Sequence, residues 1–147
     1  MNMTREEYLK QISNKLAIWQ ADIKLRGEIN LYDSHIIAEY YVKELFNMFF
    51  GYDLENLNDS SKNFPGIDLG DQTQGVAVQV TATKTRAKIQ GTLDKFIENK
   101  LYKDYPHLYI FILSEKQNSY KPFDTKGLFS FDIDKQILDI GDLIRLA

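Results

Sequence analysis

No cysteine occurs in the 147-residue chain. That excludes a disulfide framework, a thiolate metal site and a cysteine nucleophile. No apolar stretch is long enough to span a bilayer. The opening MNMTREEYLK carries two glutamates with no apolar run behind them, so it does not read as a secretory signal. Positive charge is not in excess either: the net charge is −3. A chain that coats nucleic acid indiscriminately is usually basic, so any such contact here must come from a local patch. The two histidines, His35 and His107, have no ligand spacing. No repeat, low-complexity tract or linker divides the chain. These absences leave one domain over residues 1–147, with no membrane segment and a cytoplasmic location expected.

What is present suits a soluble fold, with 44% hydrophobic and 27% charged residues. Tyr8, Ile12, Leu16, Trp19 and Ile23 recur at helical spacing over residues 4–25, and Thr4 with Glu7 forms a capping box. A second helix is expected from about Asp33 to Phe50, capped by Asp33 or Ser34 and ended by Gly51. Its apolar residues cover most of its circumference, which predicts packing on several sides. Tyr52–Leu57 is a weak strand candidate. Two short strands then flank the turn Gln72–Gly75. Ile89, Leu93, Phe96, Ile97 and Leu101 predict a helix with one apolar stripe and with Lys95 and Lys100 in solvent. LYIFILS, Leu108 to Ser114, reads as a strand buried on both faces. GLFSFDI reads as a further strand, and Ile140–Leu146 as a short closing helix. The order is α/β, with the central helix crossing from one strand to a later one.

The hairpin raises a chemical question. Asp68 lies between Ile67 and Leu69, and Gln79 between Val78 and Val80. Strand side chains alternate faces, so if Ile67 and Leu69 share a core with Val78 and Val80, the register pairs Leu69 with Val78. Asp68 and Gln79 are then cross-strand neighbours, with Cβ atoms about 5 Å apart. Gly66, Gly70, Ala77 and Thr81 on that face are small and leave room for a ligand. A hard cation such as Mg²⁺ takes oxygen donors of this kind, completed by water and phosphate. The alternative is a satisfied polar pair beneath a covering loop.

An Asp on one strand and Gln or Glu on the next, followed by a helix, resembles the PD-(D/E)XK nuclease superfamily, which has an αβββαβ restriction-endonuclease-like core. PGIDLGD, Pro65 to Asp71, matches its first motif, with Asp68 as the metal-binding Asp. QVT, Gln79 to Thr81, matches the second with Gln in the acidic position, but Thr81 stands where the family's lysine is expected. Over most of the chain, KLRGEINLYDSHIIAEYYVKELFN, GYDLENLN, IDLGD, VQVT, KIQGTLDKFI and FDTKGLFSFD resemble the SMEK domain family, a bacterial N-terminal module.

Together these resemblances imply two N-terminal helices, a mixed central sheet and a short C-terminal helix. They imply a magnesium-dependent endonuclease or DNA-binding domain of bacterial defence or mobile-element systems. In that reading Asp68 and Gln79 hold Mg²⁺, Glu39 in AEYY supplies a third ligand, and Lys88 or Lys84 takes the missing lysine's place. From the residues alone, Glu39 and Lys43 form a surface pair at favourable helical spacing as readily as Glu39 meets a metal. Lys84, Arg86, Lys88, Lys95, Lys100 and Lys103 face only Asp94 and Glu98 over one segment. That basic excess could meet DNA phosphates, with Lys84, Arg86 and Lys88 nearest the pair, or form a solvated helix face. The alternative function is an inactive module that binds a protein partner or a second copy of itself.

Overall fold

The computed structural model describes residues 4–27, 31–57 and 66–146. Pro65, the first residue of the PGIDLGD motif, lies outside them. The chain begins with α1 (Arg5–Gly27) and α2 (Leu31–Phe50). The capping box forms: Glu7 N donates to Thr4 Oγ1 at 3.2 Å, and Thr4 N donates to the Glu7 carboxylate at 3.1 Å. α2 starts earlier than the expected cap, so positions 33 and 34 lie within the helix. Gly51, at φ 70, ends it.

A five-stranded mixed sheet follows, in the order β1 (Glu55–Asn56), β2 (Leu69–Asp71), β3 (Val76–Thr81), β4 (His107–Ile112), β5 (Ile137–Leu138). β1, β2 and β3 are antiparallel neighbours, whereas β3, β4 and β5 run parallel. The parallel β3–β4 pair requires a crossover, supplied by α3 (Arg86–Glu98). Short α4 (Ile133–Gln136) leads into β5, and α5 (Ile140–Leu146) closes the described chain. Among the described residues no helix is long and apolar enough to cross a membrane.

Strand alternation divides the interior into two cores. On one face Leu69, Val76, Val78, Val80 and Phe111 pack with Trp19 of α1 and with Val42, Leu45 and Phe46 of α2. On the other, Ala77, Leu108, Ile110 and Ile112 pack with Ile89, Leu93 and Phe96 of α3. β4 is thus covered on both sides, as its apolar run predicts. Lys95 and Lys100 are exposed, as expected, whereas Ile97 is only half-buried. α2 is less enclosed than its composition suggests, since Ile36 and Tyr40 stay 45% and 49% exposed.

Two expectations are corrected. Leu69 pairs with Val78 as predicted, but Ile67 does not share its face: Leu69 joins the α2 core and Ile67 the α3 core. The cause is Asp68, whose N–H also donates to Val78 O at 3.0 Å. Asp68 and Leu69 together oppose Val78 as a bulge, which resets the alternation. GLFSFDI is also not a strand. Gly127 turns at φ 69, residues 128–132 run irregularly, and Ile133 begins α4. Its aromatics are satisfied by packing instead, Phe129 edge-on to Phe96 at 5.0 Å and Phe131 on Phe123 at 5.7 Å. The strand position beside β4 belongs to β5.

Candidate functional site

The bulge brings the two polar residues of the hairpin to one place. Asp68 and Gln79 line a surface pocket of about 340 Å³ between the β2–β3 edge and α3. Gln79 is the one β3 residue that is not fully buried, so the sheet opens to solvent at its carboxamide. Asp68 Oδ2 accepts the Val80 N–H at 2.8 Å, so the carboxylate does the work of a strand carbonyl where the ladder breaks. The Gln79 side chain makes no hydrogen bond among the described residues.

The far wall of the pocket is α3. Thr85 caps the helix by accepting the Lys88 N–H at 3.3 Å. This fixes the first turn and sets Lys88 on the pocket side. Lys88, Gly91, Thr92 and Lys95 all line the cavity. Their spacing places them on one side of the helix, beside the Ile89–Leu93–Phe96 stripe. Thr92 turns its hydroxyl back to Lys88 O at 3.2 Å, which leaves the wall's polar character to the lysines. Neither ammonium group has an ion-pair partner among the described residues. Gly66 brings this wall close. It sits at φ 76, and a Cβ built on it would stand 3.3 Å from Lys95 Cβ. A Cβ there would need Lys95 to give by a few tenths of an ångström, and the positive φ would strain any L side chain.

The remaining candidates lie elsewhere. Glu39 is 4% exposed on α2, and its Oε1 accepts from Asn56 Nδ2 at 3.2 Å, on the α2 side of the edge strand β1. It does not line the pocket. The Lys43 ammonium lies 5.0 Å from the Tyr40 ring centroid. Lys84 is exposed beyond β3 and outside the pocket; its carbonyl accepts the Tyr120 hydroxyl at 2.7 Å. Arg86 donates to Pro122 O at 2.6 Å and lies over the Phe123 ring at 5.0 Å, so its guanidinium anchors the segment before α4. Thr81 is buried, with Oγ1 accepting the Thr83 N–H at 3.1 Å. Ala87, Gly91 and Thr92 are the pocket residues that the sequence reading does not single out, and Lys95 enters it only as an exposed member of the basic run. For Gly91, Thr92 and Lys95 the available signal is helical spacing from Lys88, three, four and seven positions on.

The donor set can be tested against a divalent cation. Among the described residues no group of three or more His, Asp or Glu side chains gathers at one point. The pocket offers one carboxylate and one carboxamide oxygen. That suits Mg²⁺, which keeps several waters and binds through one or two protein oxygens plus phosphate.

The fold and pocket define an α/β domain with a crossover helix, whose polar site lies between the helix and an interrupted hairpin. A family model described as the SMEK domain matches residues 11–147. The chain belongs to the SMEK domain family. No curated protein and no solved structure matches it.

Proposed function

We propose that this is a divergent nuclease-like domain of the PD-(D/E)XK type that engages the DNA backbone at the Asp68–Gln79 pocket, with Mg²⁺ as cofactor. The observation that carries the reading is the convergence of Asp68, Gln79 and Lys88 on one open pocket. Asp68 and Gln79 would hold the ion, which when bound polarises a phosphate oxygen and acidifies a coordinated water. Lys88 reaches the same space from the helix and opposes the charge that grows on a phosphate. Its flexible stem fits the role of the lysine that Thr81 replaces.

A second reading is a non-catalytic binding module. It is favoured by Thr81, buried and hydrogen-bonded where a lysine would be expected, and by the bond that already ties Asp68 to the sheet. The two readings share the pocket and differ in chemistry.

Thermal melting of wild type and Asp68→Asn, with and without millimolar Mn²⁺ or Mg²⁺, separates them. Asn keeps an oxygen for the Val80 N–H, so the variant still folds. If the pocket holds metal, the wild type gains stability by mass action, about 2.7 kcal/mol when the ion is at 100 times its Kd. The variant loses that gain. A wild-type midpoint that ignores divalent ions sinks the metal-dependent reading. Metal binding without cleavage of plasmid DNA moves the conclusion to the binding module.

A further inference from the structure

Gly91 has no structural reason to be glycine. It lies in the middle of α3, in ordinary helical conformation, and a Cβ built on it would meet nothing within 4 Å. No turn, positive φ or close packing requires it. Glycine in a helix interior nevertheless costs stability relative to alanine, because it loses more backbone freedom on folding. The position lines the pocket midway between two unpaired lysines, Lys88 and Lys95. The helix is therefore flat between the two lysines of the pocket wall. That is the surface a bulky, negatively charged backbone needs in order to approach the helix closely.

We infer that the α3 face from Lys88 to Lys95 is a docking track for two successive phosphates of a DNA strand, with Gly91 the point of closest approach. The inference rests on the reading above that this pocket takes DNA. It adds which residues set affinity: Lys88 serves the phosphate beside Asp68 and Gln79, and Lys95 serves its neighbour. Two turns of helix separate the lysines, roughly 10 Å at 1.5 Å per residue. Their four-carbon stems let the ammonium groups close toward adjacent phosphates. Gly66, seated against Lys95 Cβ, brings the hairpin alongside the track.

The test measures binding of a fluorescently labelled DNA duplex by anisotropy over a series of salt concentrations. The proteins are wild type, Gly91→Gln, Lys95→Gln and, as a control, Lys10→Gln, an exposed lysine on α1. Gly91→Gln replaces a poor helix former with a good one and fills the open space. Its melting temperature should rise while its affinity falls at least tenfold, a pairing that a merely structural role does not produce. Lys95→Gln should reduce the slope of log K against log salt by roughly 0.9, the contribution of one duplex phosphate. Lys10→Gln should leave the slope unchanged. If wild type binds but Gly91→Gln binds equally well and Lys95→Gln keeps the full slope, the track is wrong and DNA binding stands. If wild type does not bind DNA at low salt, both the track and the reading beneath it fall.

Discussion

Asp71 accepts the Asp53 N–H at 2.9 Å through one oxygen and the Gln74 N–H at 3.1 Å through the other. These bonds, the Asp53 one foremost, hold its carboxyl below the ordinary 3.8 despite burial, which acts to raise it. Asp71 thus closes the hairpin turn and ties it to the segment after α2. Asp68, three residues earlier, accepts the Val80 N–H through its carboxylate and lines the pocket, so the two aspartates answer different tests. Because Asp71's folded pKa is depressed, the stability it contributes is present above the unfolded value. It is lost as pH falls through the folded one. Asp71→Asn should therefore cost about 1.5–3 kcal/mol near neutral pH, the range for hydrogen bonds to a charged group. The gap from wild type should shrink as pH drops below 3.8. Urea titrations of both proteins at neutral and acid pH measure this; a gap independent of pH would show that the carboxylate's charge is irrelevant.

Helix α3 was the most legible element. Its stripe predicts burial of Ile89, Leu93, Phe96, Ile97 and Leu101: the first three are fully enclosed, Leu101 is buried but beyond the helix end at Glu98, and Ile97 is only half-buried. The hairpin was legible in register but not in face. Alternation assumes an unbroken ladder, and nothing in the letters IDLGD says that Asp68 makes a bulge. The register predicts Asp68 directly opposite Gln79, but Asp68 shares Val78 with Leu69; the two side chains line one pocket without being the expected cross-strand pair, and Glu39's burial against Asn56 depends on where α2 crosses the edge strand. GLFSFDI misled for a related reason. Alternating aromatics signal a strand only where a sheet edge is available, and here Phe129 and Phe131 find ring partners instead. The long segment before α4 holds α3 through paired bonds between Gln90 and Asp124, each 3.0 Å, and through Arg86. Phe96 lies under this covering, so Phe96→Ala leaves a cavity that cannot easily collapse. The expected cost is about 3–5 kcal/mol, read as a shift in the urea midpoint. A loss of a few tenths would mean that the stripe is not core.

For the whole molecule, the question is whether two cores on opposite faces of one sheet behave as one. Successive residues of β3 and β4 point to opposite sides, so Val78 and Val80 serve the α2 face while Ala77 serves the α3 face of the same strand. Neither core can lose its strands without exposing the other. That geometry predicts a single cooperative transition, as usual for domains of this size. The chain carries its own reporter: the one tryptophan, Trp19, is 3% exposed on α1 and packs in the α2 core, stacked on Tyr41 at 6.2 Å. Phe96 lies in the other core. In wild type, Trp19 fluorescence and far-ultraviolet circular dichroism should therefore give coincident urea curves. In Phe96→Ala, both should move to lower urea by the same amount, although the substitution is on the far side of the sheet. If the dichroism curve shifts while the Trp19 curve stays put, α1 and α2 form a separately stable unit. The destabilisation of α3 would then be confined to the half of the molecule that carries the pocket, and metal-linked melting would have to be followed by a probe on that half.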